Sequence, residues 1–298
     1  IRKESAEKNL LQKEPESNEE IRVVAFGPIS GYIENSRLPK KLNPRSRKIA
    51  RIGLGAEHAV FLFIGSETAI VGNNNKGQLG LPIKYDEDKN IYNNLRLVDY
   101  EIFAKNKKLV IDVAAGNNHT MFLVEPQRPE PEVKGEQREI YVCGDRNMLG
   151  QFATEDSGDP LLVNIPRLKE NPELRIKFIY AANEKWIVMD TGYGMTIWGR
   201  NFEGFMQREP TLFWEFKHPI RKLAVGIKHG LAIDDSKKLY VWGDGTYGEL
   251  GEDIEDENII SEAPTKQSYF DNKDIKVHSI SAGFRHSIVV DVEVKMYS

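Results

Sequence analysis

One short phrase recurs along the chain and limits the folds open to it. Ala114-Ala115-Gly116-Asn117-Asn118-His119-Thr120 leads into the apolar run Met121-Phe122-Leu123-Val124. Gly53-Leu54-Gly55-Ala56-Glu57-His58-Ala59, Ala224-Val225-Gly226-Ile227-Lys228-His229-Gly230 and Ser281-Ala282-Gly283-Phe284-Arg285-His286-Ser287 repeat it. A decayed copy, Ala181-Ala182-Asn183-Glu184-Lys185-Trp186, has lysine in place of histidine. Counted from the glycine or from Ala182, the copies lie 61, 66, 44 and 57 residues apart. A period of that size describes an array of supersecondary units, and arrays generally bind rather than catalyse.

Each copy has a second half. Leu239-Tyr240-Val241-Trp242-Gly243, Met195-Thr196-Ile197-Trp198-Gly199 and Ile140-Tyr141-Val142-Cys143-Gly144 are apolar stretches closed by glycine, with Thr68-Ala69-Ile70-Val71-Gly72 a weaker version. Gly77-Gln78-Leu79-Gly80 and Gly248-Glu249-Leu250-Gly251 follow two of them, echoed by Met148-Leu149-Gly150. Runs of Val, Ile, Tyr and Trp punctuated by Gly and Asn read as short antiparallel strands. About four strands per repeat is the arithmetic of a propeller blade, a small sheet whose two apolar faces are covered by its neighbours.

Gly-x-x-His, then Tyr-Val-Trp-Gly, then Gly-Gln-Leu-Gly resembles the RCC1-like repeat, of the propeller family named for regulator of chromosome condensation. The expected fold is therefore all-β: an RCC1-like β-propeller of four-stranded antiparallel blades over residues 21–298, preceded by a flexible or partner-bound tail at 1–20. Five blades are countable, against the seven that the resemblance implies. The orphan second half at Ile21-Arg22-Val23-Val24-Ala25-Phe26-Gly27 and the first half at the C-terminus are expected to build one blade together and close the ring. A small ring and a chain seen incompletely are both open, and the lack of an initiator Met points toward the second.

Composition narrows the function classes. A net charge of −4 with 29% charged residues describes an ordinary polar surface. No apolar run approaches the roughly 18 residues of a membrane-spanning helix. A single cysteine, Cys143, offers neither a disulfide nor a cysteine zinc site, and it is expected to pack where other copies carry Trp. An intracellular setting is expected, with cytoplasm, nucleus and an organelle reached after processing left unseparated. No phosphate-binding loop, nucleophile elbow or His-Glu-x-x-His is present, so neither catalytic residues nor a metal or other cofactor is assigned.

Four candidate sets remain. His58, His119, His229 and His286 recur one per blade without carboxylates at zinc-ligand spacing, so they read as structural, the imidazole tying nearby backbone. Trp198 and Trp242 read as blade cores. Within the family, exchange on the small GTPase Ran is attributed to acidic and histidine residues of the turns on one propeller face. The matching positions here include Glu57, Asn117, Asn118, Glu184, Lys228 and Arg285, and their mixed charge suggests a different partner. The basic stretch Lys40, Lys41, Arg45, Arg47 and Lys48, expected in an inter-blade connection, offers a phosphate-binding or nuclear-address reading beside the plainer one of a solvated loop.

Inserted segments at 84–108, 126–139 and 252–258 are further partner-contact candidates, weighed against simply tolerated length. Phe213-Trp214-Glu215-Phe216 is either an exposed anchor in a connection or a seal for the short blade, the seal being favoured. The leading functional reading is a non-enzymatic protein-interaction scaffold within a larger assembly. Guanine-nucleotide exchange on a small GTPase and binding to chromatin or nucleic acid are the alternatives.

Overall fold

A computed structural model describes residues 48–127, 138–145, 158–252 and 260–298, with the backbone of 23–25 and 40–42. The strands are β1 (Val23–Ala25), β2 (Lys40–Leu42), β3 (Ile49–Leu54), β4 (His58–Phe63), β5 (Thr68–Asn73) and β6 (Ile91–Val98). They continue as β7 (Lys108–Gly116), β8 (His119–Pro126), β9 (Glu139–Gly144), β10 (Leu161–Val163), β11 (Ile176–Ala182) and β12 (Lys185–Asp190). Then come β13 (Gly194–Arg200), β14 (Met206–Glu215), β15 (Ile220–Val225), β16 (His229–Asp234), β17 (Leu239–Asp244) and β18 (Ile260–Lys266). The last are β19 (Val277–Ala282), β20 (Ser287–Asp291) and β21 (Met296–Tyr297).

Four sheets are four-stranded antiparallel meanders, β3–β6, β7–β10, β11–β14 and β15–β18. A three-stranded sheet, β19–β21, follows them. The repeat thus folds as a β-propeller blade. Each Gly-x-x-His half supplies the turn from first to second strand, and each half ending in glycine supplies the third. The second and third strands are apolar on both faces because each sheet is covered by its neighbours: His58–Phe63, His229–Asp234 and Lys185–Asp190 are buried throughout. One core cluster joins Met121 and Val142 to Trp186 and Trp198 across a blade boundary, and another joins Ile187 and Ile197 to Val225 and Trp242. Burying such side chains contributes about 1.5–3 kcal/mol each.

Several expectations change. The Val23–Ala25 strand does not share a blade with the C-terminal sheet among the described strands: it pairs with Lys40–Leu42, and Met296–Tyr297 is the third strand beside β20. The local hairpin closes a short loop, whereas the expected pairing closes one spanning the chain. Lys40 and Lys41 accordingly lie in a strand rather than a connection. The segment 84–108 is no mere insertion, for it contains the blade's fourth strand, β6, and a one-turn helix at Glu101–Lys105 whose Phe103 is buried. Phe213, Trp214 and Glu215 likewise belong to a fourth strand, β14. Phe216, directly after it, is buried against Tyr240 and Trp242, while Trp214 stays 37% exposed, so the run both seals a blade and shows one ring.

The tail at 1–20, most of the segments 126–139 and 252–258, and Arg45 and Arg47 lie outside the described residues.

Candidate functional site

The signature residues turn out to be staples between blades. A Cβ on Gly55, Gly116, Gly226 or Gly283 would fall inside the ring of the histidine three residues on, so the glycine exists to let the imidazole lie flat against it. His58 Nε2 lies 2.9 Å from Thr120 Oγ1 in the next blade. Thr120 already donates its hydroxyl proton to Gln78 O at 2.7 Å. His58 therefore carries its own proton on Nε2 and donates it. His58 is also held by the backbone of His119, His119 Nε2 donates to Lys185 O at 3.3 Å, and His229 is held by the backbone of His286. Each histidine thus reaches the equivalent position one blade on, which sharpens the expected tie to nearby backbone.

In the decayed copy Lys185 is buried, and its Nζ donates to Ile227 O in the next blade. The junction is kept by a different donor. Ala182 now has an explanation: without an imidazole above it, a Cβ fits. Lys185→His alone is expected to destabilise the protein by about 2 kcal/mol through overlap with that methyl. Adding Ala182→Gly is expected to restore most of the loss. Urea denaturation of both variants checks this, and equal stability of single and double variants would rule it out.

The leucine loops are spent in the same way. Leu79 and Leu250 are buried in clusters shared with the following blade. Gln78 O accepts Thr120 Oγ1, and Glu249 O accepts Ser287 Oγ at 2.8 Å, the same contact at two junctions. Cys143 is buried in that packing as expected, 3.6 Å from Gln78 O, and burial pushes its thiol far up.

Burial keeps the imidazoles of His58 and His119 neutral near pH 7. Burial lowers His58 to about 4, and burial with the proximity of His58 lowers His119 to about 3. Burial also lowers His229, and it brings Lys185 down to about 8. His286 differs in being exposed, because no further blade follows it among the described residues. No cluster of three His, Cys, Asp or Glu able to hold a metal occurs among the described residues.

The turn residues form one face. Ala56 N–H donates to Asn117 O at 3.0 Å and Asn117 N–H to Asn183 O at 2.7 Å, linking successive turns around the axis. Each of the first four turns is bonded within its blade to the residue just after the third-strand glycine. Asn73 Nδ2 donates to Glu57 at 2.8 Å, Arg200 pairs with Glu184, and Lys228 lies 3.7 Å from Asp244. The main chain repeats the link, with Asn73, Asp145, Arg200 and Asp244 donating to Glu57, Asn118, Glu184 and Lys228. In the third and fourth blades the turn charge is therefore paired internally, with the signs exchanged between the two, while Glu57 is held by a neutral amide. Arg285 alone differs, its guanidinium lying 4.4 Å from the Tyr247 ring and 5.7 Å from that of Phe284.

What the sequence reading missed on this face is apolar. Phe205, Tyr247 and Phe284 are 69%, 64% and 62% exposed, in the loops and turn at the same end of the third to fifth blades. They sit at variable positions between motif residues, and that variability was the available signal. Of the basic stretch, Lys48 is exposed just ahead of β3, and only the backbone of Lys40 and Lys41 is described.

Sequence models of the regulator of chromosome condensation (RCC1) repeat match residues 220–249 and 238–290. The ultraviolet-B receptor UVR8 of Arabidopsis thaliana is 25% identical over 260 residues, which cover 85% of this chain and 53% of UVR8. The chain thus spans about half the length of that relative. Human WBSCR16 superimposes with a TM-score of 0.68 at 18% identity, over 92% of this chain and 69% of its own. Prp20p from Saccharomyces cerevisiae gives 0.66 at 17%, over 91% and 64%. At such identities these structures establish the likeness of fold.

Proposed function

We propose that this chain, an RCC1-like repeat propeller, is a non-enzymatic protein-interaction scaffold that receives its partner on the turn face. One observation carries the reading. Glu184 and Lys228 are paired with opposite charges inside their own blades and Glu57 is hydrogen-bonded by Asn73, while Phe205, Tyr247 and Phe284 stand exposed between them with Arg285 stacked on the last two. Aromatic and arginine anchors on a rigid frame are the composition of interface hot spots. The motif residues do not compete for this role, since they are consumed at blade junctions.

Capture of partners from native extract, with and without EDTA, tests it. A stable non-GTPase set indifferent to EDTA is expected, with recovery falling about tenfold for Tyr247→Ser/Phe284→Ser. Prp20p was characterised for binding to Gsp1p and histones, which keeps exchange on a small GTPase and chromatin binding as alternative readings for this chain. Exchange needs tighter binding of the nucleotide-free GTPase and no chemistry on a substrate. Accelerated nucleotide release from a GTPase panel, abolished by the same double variant, would replace the scaffold reading with the exchange reading.

A further inference from the structure

The opposite end of the propeller carries a second basic run that the sequence reading passed over, Lys217-His218-Pro219-Ile220-Arg221-Lys222. The fold gives it a shape. Every first strand is bulged near its start, with register shifts at Ile49/Arg51, Val110/Asp112, Ile176/Phe178, Ile220/Lys222 and Val277/Ser279. The residues so displaced are Ala50, Ile111, Lys177, Arg221 and His278. A bulge takes its residue out of the ladder and re-aims the side chain, which is why bulges gather beside functional surfaces. In the first two blades the displaced residue is apolar, and in the last three it is basic.

Neighbouring cations are fixed to the following blade. Arg138 donates to Ile176 O at 3.0 Å, Lys177 to Ile220 O at 2.9 Å and Lys222 to His278 O at 2.7 Å. These bonds hold long side chains in place, and they give Lys177 and Lys222 no counter-ion. Arg175, Lys177, Arg221 and Lys222 make no ion pair among the described residues, whereas other cations of the chain do. Burial and then the nearby Arg221 lower Lys177, while Asp235 is the carboxylate that opposes them. A groove of about 480 Å³ between the second and third blades is lined by Arg138, Arg175 and Lys177, with Glu125 its acid. Glu125 is already engaged by Arg138 at 3.4 Å. An excess of fixed positive charge on a chain of net charge −4 marks a surface selected for anions.

We propose that this basic crescent, from Arg138 and Arg175 through Lys177 to Arg221 and Lys222, docks an acidic Asp/Glu-rich peptide segment of a protein partner. The inference rests on the scaffold reading and gives it a second contact. A peptide fits better than nucleic acid for two reasons. None of these cations is paired with an aromatic ring for base stacking, which single-strand binders employ. The unpaired cations also number only about four, fewer than a phosphate-backbone footprint of roughly six to ten contacts.

The test uses the full chain and a fluorescent Glu/Asp-rich peptide, with single-stranded RNA and duplex DNA of equal charge as competitors. Anisotropy is expected to show salt-sensitive peptide binding, weakened about tenfold by Arg221→Glu or Lys222→Glu and unchanged by Lys76→Glu on the turn face. All three side chains are exposed, so the variants retain the fold. Absence of peptide binding, tighter binding of either nucleic acid, or indifference to Arg221→Glu would each overturn the proposal. A partner complex from extract that survives Arg221→Glu removes the crescent and leaves the scaffold standing. Failure of the unaltered chain to capture any partner removes the scaffold itself.

Discussion

Lowering the pH from 7 to 4 is expected to unfold this propeller, and His58 and His119 are the reason. Both are buried and neutral at blade junctions, with pKa values depressed to about 4 and about 3. Below the ordinary histidine value near 6.5, the unfolded chain takes up protons that the folded chain refuses. Stability therefore rises with pH across this range, is complete above about 6.5, and is lost progressively as pH falls through the folded values. The two depressions correspond to about 3 and about 5 kcal/mol. The charge of His58 opposes the charging of His119, and that repulsion is part of why the His119 value is the lower of the two. Even one is a large share of the roughly 5–15 kcal/mol that holds a domain together. Urea unfolding at a series of pH values reads this slope. His58→Gln/His119→Gln is expected to be weaker at pH 7 yet to lose stability more gently on acidification. An identical acid slope in that variant would sink the assignment.

Gly243→Ala is expected to cost about 4 kcal/mol, far more than its size suggests. Gly243 has φ of +97°, where a side chain is strained, and a Cβ there would fall inside contact with Lys228 O and His229 Cα. The crowding has a cause. Asp244, the next residue, donates its N–H to Lys228 O at 2.9 Å, which draws the third strand onto the histidine turn. Gly248 is the control, for its φ is +88° but nothing lies within 4 Å of the place a Cβ would take. Gly248→Ala is expected to cost about 1 kcal/mol from strain alone. Thermal or urea unfolding of the two variants separates backbone strain from collision. Comparable losses in both would mean that the junction is looser than the geometry requires.

The two halves of the repeat were legible because inter-blade packing imposes the same chemistry at every junction. Gly55 and His58 recur as Gly226 and His229 since one imidazole has to lie on one glycine each time. Trp198 and Trp242 were readable as core for the same reason, both being fully buried on third strands. Fourth strands were not readable. β6 and β14 pair on one side only and are largely polar and exposed, so their residues lack the strict alternation of a buried strand and look like insertions. The charges of Glu57, Glu184 and Lys228 were visible, but their bonding within the blade was not. Their partners Asn73, Arg200 and Asp244 lie 16 residues away and meet them only when the meander folds.

By itself, the sequence determined the blade: which strands are buried on both faces, where the tight turns fall, and that the protein is an array with RCC1-like repeats. Those properties are local or repeat from copy to copy, so each is written in the chain several times. Only the tertiary structure decided which surface is free. It showed that His58, His119 and His229 are spent on the next blade, that Glu184 and Lys228 are paired within their own blades, and that a bulge in each first strand turns Lys177 and Arg221 outward together. Such facts depend on residues that meet only when strands and blades pack together, and no local stretch of the chain contains them.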